Sequence, residues 1–126
     1  MKLLALAIAM IALTGCMTPS SEGQPERSVE LIKLSSSGVS SLQNAVRDVL
    51  KDPSSAQFGR YIAFNVTADD GTTIMAACGY VNAKNSYGGY TGMTPYSALG
   101  ADNVFVSASI SKYAMGVCQQ MYGVSI

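Results

Sequence analysis

The sequence predicts an α+β domain, a small sheet of three or four mainly antiparallel strands with an N-terminal and a C-terminal helix packed on one face. Three observations predict it. Apolar residues recur at spacings of three and four at Val39, Leu42, Val46, Val49 and Leu50, which marks one buried stripe of a helix. Residues 60–67 (RYIAFNVT) alternate instead, with Ile62, Phe64 and Val66 on one face and Tyr61, Ala63 and Asn65 on the other, as a strand does. Helix, strands and helix then follow one another without the β-α alternation of a parallel sheet.

The chain begins with an address. Met1 and Lys2 make a minimal positive region, and residues 3–13 are an unbroken apolar run. At about 1.5 Å per residue that run reaches roughly 17 Å, short of a bilayer core of about 30 Å. It reads as a signal peptide rather than a spanning helix. Leu13, Thr14, Gly15 and Cys16 follow, an aliphatic residue, two small residues and a cysteine. They resemble the lipobox of bacterial lipoproteins. The resemblance implies cleavage after Gly15, so that residues 1–15 are the leader, and acylation of Cys16. The alternative is an ordinary signal peptide that happens to contain a cysteine. Several acyl chains hold a protein far more firmly than the marginal single chain. Met17 stands where an Asp would retain a lipoprotein in the inner membrane. The resemblance therefore implies a cell-envelope protein at the periplasmic face of the outer membrane.

Residues 17–27 (MTPSSEGQPER) carry proline, serine, glycine and charge, the composition of a tether. Val29, Leu31, Ile32 and Leu34 suit either a short strand or a helical turn, and the expectation is a helical turn. The anchored tether is thus drawn over 16–34 and a single domain over 35–126. Ser35, Ser36 and Ser37 offer N-cap hydroxyls to the first helix, and Asp52 before Pro53 stops it. After the strand at 60–67, Asp69, Asp70 and Gly71 signal a hairpin turn. The returning strand, 72–81, places Ile74, Ala76, Cys78 and Tyr80 on one face. A third strand is expected over 87–96, bent by Gly88, Gly89 and Gly92 and closed by Pro95. Residues 98–103 read as a loop and 104–106 as a last strand. Residues 107–121 read as the second helix, with a stripe of Ile110, Tyr113, Ala114, Val117, Cys118 and Met121, and Gly123 at its C′ position.

Composition narrows the chemistry. The 8 basic and 8 acidic residues balance, so nothing recruits nucleic acid or an anionic surface. There is no histidine, which removes Ser-His and Cys-His nucleophile pairs and the commonest zinc ligand. Asp69 and Asp70 are adjacent in a turn and do not make a glycosidase pair. No cofactor or metal is expected, and no catalytic residue is assigned. Of the three cysteines the lipobox claims one. Cys78 and Cys118 remain as an even pair in an oxidising compartment, which points to a disulfide. Two buried free thiols, or a redox pair lacking a C-x-x-C spacing, are the alternatives.

Residues 52–58 (DPSSAQF) and 78–96 (CGYVNAKNSYGGYTGMTPY) carry the most individual pattern. They resemble a group of small exported bacterial and phage-encoded proteins that pair a DPxSAxF segment with a CGxVNAKNSxGGYxGxxPF segment. Tyr80 stands where an acidic residue is frequent in that group, and Tyr96 replaces the final phenylalanine. The resemblance implies a shared fold unit and no particular reaction. Within the segment, Asn82, Lys84, Asn85, Ser86, Tyr87 and Tyr90 are candidate binding residues. Turn chemistry explains the asparagines equally well. The expected function is a non-catalytic interaction module that docks on an envelope protein, since tyrosines give large amphipathic contact area at low entropic cost. The alternative is a binder of a glycan or acidic group, or an envelope enzyme, using residues 82–96.

Overall fold

Five strands and two helices follow in the order β1 (Ser28–Ile32), α1 (Ser36–Arg47), β2 (Gln57–Thr67), β3 (Thr73–Asn82), β4 (Thr94–Ala101), β5 (Val104–Ile110) and α2 (Ala114–Tyr122). A 3-10 turn, Pro53–Ser55, precedes β2. The computed structural model describes residue 15 and residues 27–126. Residues 1–14 of the leader, Cys16 and the tether residues 17–26 lie outside the described residues. Every strand pairs antiparallel with its sequence neighbour, in the order β1-β2-β3-β4-β5. The architecture is therefore α+β, with five strands where three or four were expected.

Three local expectations are corrected. Ser28–Ile32 is not a helical turn but the edge strand β1, in register from Ser28 opposite Thr67 to Ile32 opposite Ala63. The folded unit thus begins inside the stretch drawn as tether. Residues 98–103 are not a loop, because β4 runs to Ala101 and turns at once into β5. Asp102 and Asn103 both have positive φ, 50° and 68°, the two-residue hairpin geometry that Asn and Asp tolerate. Residues 107–110 belong to β5 rather than to the last helix. Their Ser-Ala-Ser-Ile pattern fits a period of two as well as one of 3.6, and strand pairing with β4 decides between them.

Helix α1 is capped as the serines suggested, with the Ser35 hydroxyl accepting from the Gly38 N–H at 3.2 Å. The Asn103 amide in the β4–β5 turn donates to Ser35 and Ser37, so the hairpin tip pins the helix start. Leu42, Ala45 and Val46 are buried. Val49 is 49 % exposed, because α1 ends at Arg47 and the helical spacing no longer applies beyond it.

The two helices lie on opposite faces of the sheet, not on one. In-register partners share a face, so Ile32, Ala63, Ala77, Ala98 and Ala108 form one row across all five strands. That row packs with Leu42, Ala45 and Val46 of α1. The alternate residues Phe64, Val66, Ala76 and Cys78 form a second cluster with Cys118 of α2. Small residues under α1 let the helix approach closely, and their smallness hides this α1-side core from a hydrophobicity pattern.

Gly79 shows how tightly the first face is filled. It pairs with Tyr61 on β2 and Tyr96 on β4. A Cβ there would come within 2.6 Å of the Tyr96 hydroxyl oxygen and 2.8 Å of the Tyr61 Cβ. The Tyr96 ring lies over the bare backbone, 1 % exposed, with Phe58 edge-on at 6.5 Å and 85°. Gly79→Ala should destabilise the domain by about 1–3 kcal/mol through overpacking, read as a lower urea midpoint with unchanged slope.

Burial holds the Tyr96 phenol well above the ordinary tyrosine range, and the nearby Tyr61 adds to the effect. The folded state thus keeps a proton that the unfolded state releases near pH 10. The stabilising contribution is complete below that pH and declines as pH rises above it. Tyr96→Phe should flatten this alkaline decline in unfolding measurements between about pH 9 and 11.5.

Cys78 and Cys118 are joined as a disulfide with Cα atoms 6.6 Å apart. Both are buried, and within α2 only Ala114 and Cys118 are. The bridge is therefore a main attachment of α2 to the sheet. Replacing both cysteines by serine should cost about 2–5 kcal/mol. Hydrogen exchange should accelerate first in α2, while β2 and β3 retain protection.

Candidate functional site

The candidate residues lie where β3 passes into β4. Asn82 closes β3. Lys84 and Tyr90 form an isolated antiparallel bridge beyond it, so residues 84–90 are a small hairpin extending the β3–β4 connection. Its tip is a three-residue loop. The Asn85 N–H donates to the Gly89 carbonyl at 2.8 Å and the Gly88 N–H to the Asn85 carbonyl at 3.1 Å. Gly88 takes the left-handed conformation, φ 80°, which completes a type I turn with a glycine bulge. The expected third strand over 87–96 is replaced by the far arm of this hairpin and the start of β4.

The asparagines are consumed by backbone. Asn85 Oδ1 accepts from the N–H groups of Tyr87 and Gly89, at 2.9 and 3.2 Å. Asn82 Oδ1 accepts from the Gly92 N–H at 3.0 Å, and its amide faces Gln57 at 3.4 Å. Gly92 also needs positive φ, 90°. These amides hold turns.

The hairpin is braced from below by the turn before β2. The Ser55 hydroxyl donates to the Asp52 carbonyl at 2.8 Å and accepts from the Lys84 N–H at 2.8 Å. The Ser55 carbonyl accepts from the Tyr90 hydroxyl at 3.1 Å. Asp52 in turn accepts from the Ser54 hydroxyl at 2.9 Å. The two segments singled out in the sequence, 52–58 and 78–96, therefore meet in space, with Ser55 as the joint and Phe58 packed on Tyr96. Sequence reading did not single out Ser55 as a contact. The pairing of the two motif segments was its only signal.

The hairpin exposes two aromatic rings. Tyr87 is 96 % exposed and Tyr90 46 %. The Lys84 ammonium sits 5.5 Å from the centre of the Tyr90 ring, a cation–π distance. Ser86 is exposed and lies in the turn beside Tyr87. A shallow depression of about 400 Å³ beside the hairpin is lined by Gly59, Arg60, Tyr80 and Met93. Among the described residues no three acidic, histidine or cysteine side chains converge as a metal site. No described helix is long and apolar enough to cross a membrane.

Ser55→Ala removes the acceptor for a part-buried N–H and should loosen the hairpin by about 1–3 kcal/mol. Amide exchange at Lys84 and residues 85–90 should quicken at least several-fold, while β2–β3 amides stay unchanged. Unaltered exchange at Lys84 would show that Ser55 is not the joint. Compared with known proteins, the chain matches no family model, no curated protein and no solved structure.

Proposed function

We propose that this chain is a lipid-anchored protein of the bacterial envelope, held by Cys16 at the periplasmic face of the outer membrane. Its domain acts as a non-catalytic interaction module that presents the 84–90 hairpin to an envelope protein. The observation that carries the reading is Tyr87, an almost fully exposed ring on a tip made rigid by Asn85, Gly88 and Ser55. A rigid, pre-ordered aromatic loses little entropy on contact. The asparagine side chains of the segment are engaged in turns instead. Lys84 beside Tyr90 adds a positive charge, which favours a partner surface bearing carboxylates.

A second reading draws on the depression at Arg60, Tyr80 and Met93, where a guanidinium beside a ring would take a small acidic group.

Three measurements test this. Cys16→Ser should abolish acyl labelling and the processed form. If that variant still labels and fractionates with membranes, the address is wrong. Crosslinking with mass spectrometry in the native envelope should then capture one protein through residues 84–90. Tyr87→Ala should weaken that capture about ten-fold or more, as an interface anchor does, with thermal unfolding unchanged because the ring is solvated. Co-purification of a stoichiometric glycan or lipid with no captured protein would favour the Arg60 depression and sink the module.

A further inference from the structure

We infer that the sheet face covered by α2 lies against the bilayer, so that the domain rests on the membrane rather than standing off it. The inference rests on the lipid-anchor reading of Cys16 and adds the orientation of the domain. The face is apolar beyond what α2 covers. Val29 and Leu31 on β1, Ile74 on β3 and Leu99 on β4 share it and are exposed, Leu31 by 62 %. Val117 and Met121, one turn apart on α2, are exposed as well. Apart from Arg60 in the β2 bulge, no strand residue of this face is charged, and α2 carries no charge at all. Glu30 lies on the opposite face, and Arg47, Asp48, Lys51 and Asp52 lie at and after the end of α1.

Chain length and direction select a membrane as the occupant. Eleven residues, 17–27, separate Cys16 from β1. A stretch of that length reaches at most about 40 Å even when fully extended. β1 itself contributes Val29 and Leu31 to the face, so the tether emerges at the margin of the apolar surface. The far end of the same face is graded as a membrane interface is. Arg60 lies beside Tyr80, and the Lys112 ammonium lies 4.9 Å from the Tyr113 ring. Tyrosine with a long cationic side chain is the pairing that settles at headgroup depth. Asp69 and Asp70 in the turn at the tether end disfavour anionic lipid, so a zwitterionic surface is the partner.

The protein has no tryptophan, so single reporters can be placed in the full-length chain. Leu31→Trp and Val117→Trp sit on the face, and Val49→Trp sits beyond α1 on the other side. Each is reconstituted, with its acyl chains, in phosphatidylcholine–phosphatidylethanolamine vesicles containing acyl-brominated lipid. Native disulfide formation and circular dichroism check the fold of each variant. Bromine should quench at least one face reporter two-fold or more and leave Val49→Trp nearly unchanged. Equal quenching at all three positions, or none at the face, overturns the inference. So does a crosslinked dimer with unquenched face reporters, which would place a second copy there. Acyl labelling on the same sample separates the failures. Label without quenching sinks the orientation alone, and absence of both sinks the anchor with it. Quenching without label upholds the face as a membrane contact independent of the anchor.

Discussion

Strand β3 is buried on both faces over Met75, Ala76, Ala77, Cys78 and Gly79, and the rest of the domain is arranged around that constraint. A central strand with helices on both sides can carry bulk on only some of its positions. Here the bulk comes from neighbours: Tyr96 lies across Gly79, and Phe64 and Cys118 flank Ala76 and Cys78. The alanine row under α1 sets how near that helix sits, and the disulfide fixes α2 on the other side. An antiparallel sheet more often has one solvated face. Covering both with about a hundred residues leaves little bulk for each core, which is where a cross-link contributes most.

The 82–92 segment illustrates how a distinctive motif can be structural. Asn82, Asn85, Gly88 and Gly92 are required by backbone geometry, and Ser55 reaches up to hold them. None of these groups is left with the freedom that substrate chemistry needs. Their effect is to hold the hairpin that carries Tyr87, Tyr90 and Lys84, of which Tyr87 is almost fully exposed and the other two are partly so. In this segment the asparagines and glycines build the support and the tyrosines and lysine form what is supported.

Much of the fold was legible from residue spacing. Leu42 and Val46 marked α1, Ile62, Phe64 and Val66 marked β2, and Asp69 to Gly71 and Gly123 marked a turn and a helix end. The two cysteines fell on facing apolar surfaces, and the disulfide follows from that. What the pattern concealed has specific causes. β1 is five residues long, too short to show a period. The alanine face carries little hydrophobic signal, so the core under α1 and the opposite placement of the helices were invisible. Ser107 to Ile110 satisfied both periods, and only pairing with β4 resolved them. Of the candidate site, the turn role of the asparagines was legible. The Ser55 joint was not, because it spans 29 residues of sequence to Lys84.

The chain enters β1 at one end of the sheet and carries its hairpin at the other. β1 begins opposite Thr67, beside the 68–72 turn, whereas the hairpin extends from Asn82, the far end of β3. At about 3.3 Å per residue the intervening strand is some 30 Å long. A load applied between the N-terminal end of β1 and anything gripping the hairpin would therefore run along the strands. It would shear the five β1–β2 pairs together rather than peel them one at a time. Mechanically, the edge strand that the sequence disguised as linker is the part of this domain that would bear the strain.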